Sequence, residues 1–177
     1  TTVAQTVTIR GKVEDVQGTQ NQFYLDGTNI PLVSSTLNLN LWQGQDAILD
    51  VVNVGTASAP TLRVDAATAT TKMMDMGNLR LGETRTWEVF APSGSGAFLF
   101  MDWTANTRFA PVPGFQGAVF LGDSPHFLTG GITFGGVFQT TFTTPNNPAL
   151  VGLAVSSQAL VTTNTAWILS NVDGKVV

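Results

Sequence analysis

The sequence predicts an all-β protein with two parts: a small β-barrel or meander over residues 1–72 and an antiparallel, jelly-roll-like β-sandwich over residues 73–177. Two observations predict this class. Apolar and polar residues alternate with a period of two in short segments, which is the pattern of half-buried strands. Turn residues, mainly Gly, Pro, Asn and Asp, separate these segments, and the 3.6-residue period of helices is almost absent.

The N-terminal segment shows the alternation most clearly. Val3, Val7, Ile9 and Val13 are apolar at odd positions, while most even positions carry Thr, Arg, Lys or Glu. Short strand-like segments follow up to about residue 72, in the order QFYLDG, NIPLVSS, LNLNLWQGQ, DAILDVVNVG and PTLRVDAATAT. This order, led by GKVEDV, FYLDG and IPLVS, resembles a small OB-like barrel, and a simple β-meander is the alternative.

The aromatic content changes near Thr71, which places the predicted domain boundary there. Phe23, Tyr24 and Trp42 are the only aromatic residues before this point, and all the remaining Phe and Trp come later. In the second part, FLFMDW predicts a central strand that is buried on both faces. The segments GITFGGVFQTTFTT and ALVTTNTAWILSNVDGKVV predict further strands of a sandwich.

Composition disfavours several classes of partner and suggests a compartment. Charged residues make up 11% of the chain, against roughly 25% in typical soluble domains. The net charge is −4 and no cluster of Lys or Arg occurs, so neither nucleic acid nor an anionic membrane surface is an expected partner. The chain has no cysteine, and no apolar run approaches the roughly 20 residues of a membrane span. A surface of Thr, Asn, Gln, Ser and Gly is typical of exported or assembled proteins, and we interpret Thr1 as a processed N-terminus.

The C-terminal region resembles a known domain family. The segment TTFTTPNNPALVGLAVSSQALV, followed by AWILSNVDGKVV, is similar to the closing part of a β-sandwich domain found in secreted proteins of planctomycetes and similar bacteria. LGETRTWEVFAPSGSGAFLFMDW resembles the first two strands of the same domain, so the resemblance covers about residues 79–177. It implies a non-catalytic extracellular module and supplies no active residues; the family often carries cysteines, which this chain lacks. The matching residues are Pro145, Asn146, Pro148, Leu150, Gly152, Leu169, Ser170 and Asn171.

Candidate catalytic residues are few. His126 is the only histidine and lies in GDSPHF, where Asp, Ser and His within one turn cannot form the triangle of a catalytic triad. Asp102 ends an apolar segment and could act as an acid, but an ion pair with Arg85 or Arg108 is the simpler interpretation. We therefore predict no enzyme, no cofactor and no metal site, while a calcium ion in one of the Asp-containing turns is left open.

These observations favour a secreted, non-catalytic structural subunit. We expect it to self-associate through β-strand addition into an extracellular filament, sheath or surface layer, with Val3, Val7, Ile9 and Val13 as the associating residues. The alternative is a polysaccharide- or surface-binding module of a cell-surface protein. In that case Trp103, which leads into the loop-like segment TANTRF, is the candidate ligand-binding residue.

Overall fold

The structure is a computed structural model, and it describes residues 5–17, 19, 21–103 and 107–177. Strands account for nearly all of its regular structure, which confirms the all-β class. Two short 3-10 turns, Leu39–Trp42 and Pro148–Leu150, are the exceptions among the named elements. In chain order the strands are β1 (Val7–Asp15), β2 (Phe23–Leu25), β3 (Pro31–Val33), β4 (Asp46–Asn53), β5 (Leu62–Ala69), β6 (Met74–Asp75), β7 (Thr84–Phe90), β8 (Gly96–Asp102), β9 (Ala110–Pro111), β10 (Ala118–Val119), β11 (His126–Ile132), β12 (Val137–Thr143), β13 (Ala154–Thr162) and β14 (Trp167–Val176).

The first five strands form a closed barrel in the order β1-β2-β3-β5-β4, with β4 returning to β1. Among the described strand pairs of the barrel, β3–β5 is parallel and the others are antiparallel. This closure confirms the OB-like barrel over the simple meander. Alternate residues of the strands fill the interior, and Ile9, Val13, Leu25 and Leu49 are each at most 1% exposed.

Gly11 shows how β1 accommodates the packed core of this small barrel. It lies on the inward side of the strand, where a Cβ atom would be 2.2 Å from Cδ1 of Leu25. Leu25 is fully buried, so the space that a side chain at residue 11 would occupy is already filled. Gly11, on the apolar face of the first strand, therefore makes room for a core leucine.

The second part is a sandwich of two antiparallel sheets, ordered β11-β8-β13-β14 and β12-β7-β6. The chain crosses from one sheet to the other between β11 and β12. Trp87, Val89, Leu99 and Val161 are among the buried residues between the sheets. The sandwich predicted after the barrel is thereby confirmed.

The segment FLFMDW forms the central strand β8, but it is not buried on both faces as we expected. Ala97, Leu99 and Met101 point into the sandwich, whereas Phe98 is 37% exposed and Phe100 is half-buried on the outer face. The reason is that the chain segment leading through β9 and β10 covers only part of this outer face.

The barrel and the sandwich are joined by shared core residues. Phe120 and Val172, both beyond residue 72, belong to the same buried cluster as the barrel interior. Gly27 of the barrel and Gly174 of β14 approach so closely that a Cβ atom on Gly174 would lie 2.6 Å from Cα of Gly27. The predicted boundary falls between β5 and β6, and the barrel core includes side chains from both sides of it.

Candidate functional site

The residues considered for catalysis are dispersed. His126 is exposed and lies opposite Met101, so its side chain and that of the buried Asp102 point to opposite faces of the sheet. Other carboxylates have local partners: Asp50 accepts a hydrogen bond from Thr8 at 2.6 Å. In the part of the chain that the structure describes, no three metal-ligating side chains come together, and no helix is long and apolar enough to cross a membrane.

The segment assigned to self-association is part of the barrel wall. Val3 lies outside the described residues; Ile9 and Val13 are buried in the barrel core, and Val7 packs against it. Strand β1 pairs with β4 over Val7–Lys12 and with β2 over Val13–Asp15. The remaining side of its first half faces residues 111–117 of the same chain across a groove. The apolar face of β1 is therefore used within the chain and forms no exposed association surface.

One side of the sandwich is closed by side chains of β14. Oδ1 of Asn171 accepts hydrogen bonds from the backbone N–H groups of Met73 (2.8 Å) and Met74 (3.0 Å), and its Nδ2 donates to the Met74 carbonyl (3.0 Å). Oδ2 of Asp173 accepts from the N–H of Met76 at 2.8 Å. These bonds satisfy backbone groups around β6, so this side of the sandwich presents no free strand edge there.

The opposite side of the sandwich carries the outermost strands of both sheets, β11 and β12. Strand β11 contains a bulge between Phe127 and Thr129. Strand β12 pairs with β7 without irregularity through all seven of its residues, VFQTTFT, which include no charge and no proline. Proteins that must not associate usually protect an edge with charges, prolines or bulges. By this criterion β11 is protected and β12 is open.

The hydrogen-bond pattern identifies the open backbone groups of β12. The N–H of Ala91 donates to the carbonyl of Gly136, and the N–H of Thr144 donates to the carbonyl of Glu83, so the even-numbered residues face β7. Because alternate residues of a strand point their N–H and C=O groups to opposite sides, those of residues 137, 139, 141 and 143 face away. Val137 exchanges both bonds with Phe134. Among the described strands none pairs with the other three, Gln139, Thr141 and Thr143.

The side chains of β12 alternate between the two faces of its sheet. Phe138 and Phe142 point toward the sandwich core but remain half-buried, and the ring of Phe142 lies 4.9 Å from that of Trp87. On the other face, Gln139 donates to Oε1 of Glu88 at 2.7 Å. Asp26, whose pKa is raised by burial, lies on the barrel and not on β12. The open edge is thus apolar inside, polar outside and uncharged.

A second exposed feature is the outer face of the four-stranded sheet. Phe98, Phe127, Ile132 and Trp167 are between 37% and 65% exposed there, and the ring of Phe115 packs edge-on against Trp167 at 5.4 Å. Cross-strand pairing places Trp167 level with Gly96, at the start of β8.

Trp103, the predicted ligand-binding residue, is 40% exposed and follows the other end of β8. The length of β8 separates it from the level of Trp167 by roughly 20 Å. The two tryptophans therefore do not form one aromatic row.

Comparison with protein-family models, with curated proteins and with solved structures finds no match to this chain. Sequence reasoning missed the open edge, although a signal for it exists: no Asp, Glu, Lys or Arg occurs between Asp123 and Asp173. A strand at the edge of a sheet within such a stretch has no charge with which to resist pairing.

Proposed function

We propose that this protein is a secreted, non-catalytic structural subunit that self-associates through β-strand addition into an extracellular filament, sheath or surface layer. The observation that carries the proposal is the open edge of β12, where the backbone groups of Gln139, Thr141 and Thr143 face away from β7 and pair with no other described strand. Main-chain hydrogen bonds to such an edge are what strand addition uses.

Two further features support association. Phe138 and Phe142 are incompletely covered on the inner face of β12, so an added strand would bury apolar surface as well as pair the backbone. The net charge of −4 on 177 residues also leaves little electrostatic repulsion between copies. Secretion is supported by the uncharged polar surface and by the resemblance of residues 79–177 to modules of secreted proteins.

The experiment introduces a single positive charge at the centre of the β12 edge. Thr141→Lys places an ammonium group on an exposed position of β12, so the monomer should fold while association is lost. Thr86→Lys is the matched control, because Thr86 is the exposed residue directly opposite Thr141, one strand further from the edge. Sedimentation velocity and negative-stain microscopy should show assemblies for the wild type and for Thr86→Lys only. A wild type that stays monomeric at high concentration, or a Thr141→Lys variant that assembles normally, would contradict the proposal.

The second candidate function is a polysaccharide- or surface-binding module, favoured by the aromatic surface at Trp167 and Phe115. Aromatic faces of this kind stack on other flat apolar surfaces, including those of sugar rings. Trp167→Ala and Trp103→Ala should then reduce retention on insoluble polysaccharide, and Thr141→Lys should be retained like the wild type. No retention of the wild type on any polysaccharide tested would exclude this candidate for those polymers.

A further inference from the structure

The open residues of β12 are distributed symmetrically about Thr141. Gln139 and Thr143 lie two residues to either side of it, and all three direct their N–H and C=O groups away from β7. We propose that the partner of this edge is β12 of a second copy of the chain, antiparallel, in the register that places Thr141 opposite Thr141. The inference rests on the proposed strand addition and names its partner.

The register follows from which backbone groups are free. In an antiparallel ladder, residues that face each other with outward groups exchange two hydrogen bonds. Centring the pair on Thr141 matches Gln139 with Thr143 in both directions, so every free group is used. A shift of two positions one way sets Thr143 against Val137, whose groups are already bonded to Phe134. A shift the other way sets Gln139 against Pro145, which has no N–H to donate.

The side chains are compatible with the same register. A two-fold axis perpendicular to the sheet keeps the inner face of one copy continuous with the inner face of the other. Phe142 then lies opposite Thr140 of the second copy and diagonal to its Phe138 and Phe142, at the roughly 7–8 Å spacing that aromatic side chains bridge. On the outer face the opposed residues are Thr141 with itself and Gln139 with Thr143. No charged side chains are brought together across the axis.

This pairing also determines what kind of assembly the edge can make. A contact in which the same surface is used by both copies is closed by its two-fold axis and produces a dimer. The dimer joins the three-stranded sheets of two copies into one continuous sheet across the axis. Strand addition at β12 thus yields the building block, and a filament or layer would grow from it through a different surface.

Cysteine cross-linking tests the register directly, because the chain contains no cysteine. Opposed residues of a hydrogen-bonded antiparallel pair have Cα atoms about 5.5 Å apart, which is within the range that a disulfide spans. Oxidised Thr141→Cys should therefore run mostly as a covalent dimer on a non-reducing gel at low protein concentration. Gln139→Cys and Thr143→Cys should each stay monomeric on the gel when alone and should cross-link when mixed. Thr86→Cys, one strand further from the edge, is the negative control.

Each other outcome has a distinct meaning. Efficient cross-linking of Gln139→Cys with itself would show a different register and would overturn the proposal. If the wild type assembles but no β12 cysteine cross-links, the partner is not β12, whereas strand addition elsewhere survives. If the wild type sediments as a monomer at all concentrations, the proposed function itself fails together with the register.

Discussion

At the scale of single residues, polar side chains of β14 bond to the outward backbone groups around β6, as a neighbouring strand would. Asn171 is 7% exposed and makes three hydrogen bonds to backbone groups of Met73 and Met74. Asn and Asp side chains commonly bond to backbone groups a few residues away in the chain, but these partners are almost a hundred residues away. The sequence motif around Asn171 suggested a family signature, and only the folded chain shows which backbone the amide holds.

Truncating the Asn171 side chain should lower the free energy of unfolding. Asn171→Ala leaves two buried N–H groups and one carbonyl without their partner, and each such group costs about 1–3 kcal/mol. We expect the free energy of unfolding in urea to fall by about 3 kcal/mol, since relaxation and water recover part of the loss. Asn164→Ala, in an exposed turn, is the control and should change it by less than about 0.5 kcal/mol. Equal losses in the two variants would show that the amide bonds do not hold β6.

At the scale of elements, β1 and β12 share one local sequence pattern but differ in how their edges are paired. Both segments alternate apolar and polar residues, so their strand character was predictable from sequence. Which edge of a strand remains unpaired is decided by distant segments. Strand β4 pairs with Val7–Lys12 of β1 and β2 pairs with Val13–Asp15, while among the described strands β7 alone pairs with β12. For this reason the sequence directed attention to Val7, Ile9 and Val13, whereas the open edge lies in a segment interpreted only as a further strand of the sandwich.

The closing of the barrel around β1 gives a second prediction. Gly11→Ala should destabilise the protein by about 1–3 kcal/mol, because the added methyl group overlaps Leu25 in a filled core. Leu25→Ala should be destabilising through the cavity that it leaves. The double variant should be more stable than the sum of the two losses implies, since the new methyl group enters the vacated space. Strict additivity in urea unfolding would mean that residue 11 does not compete with Leu25 for the same volume.

At the scale of the whole molecule, the fold class and the order of barrel and sandwich were accessible from sequence because they follow from local alternation and turn chemistry. The way in which the barrel and the sandwich join was not accessible from sequence. Phe120 and Val172 complete the barrel core from the second part, and Gly27 meets Gly174 across the junction. Such contacts join residues that are far apart in the chain, and no local pattern marks them.

The distribution of charge over the whole molecule leads to the last prediction. The open edge is neutral and lies in a stretch without charged residues between Asp123 and Asp173, while the whole chain carries a net charge of −4. Salt should therefore change the association constant by less than about twofold between about 0.05 M and 0.5 M NaCl, since there are few close charges to screen.

Sedimentation equilibrium measures this constant, and Thr141→Lys provides the matched comparison. In the register centred on Thr141 the two introduced ammonium groups face each other across the axis, so their repulsion weakens pairing at low salt. At about 0.1 M salt the two charges lie within the Debye length of about 10 Å and therefore repel each other. Raising the salt shortens this length, toward about 3 Å at 1 M, so part of the association should be restored. A wild-type association that collapses in salt would indicate that ion pairs elsewhere on the surface, rather than the neutral edge, hold the copies together.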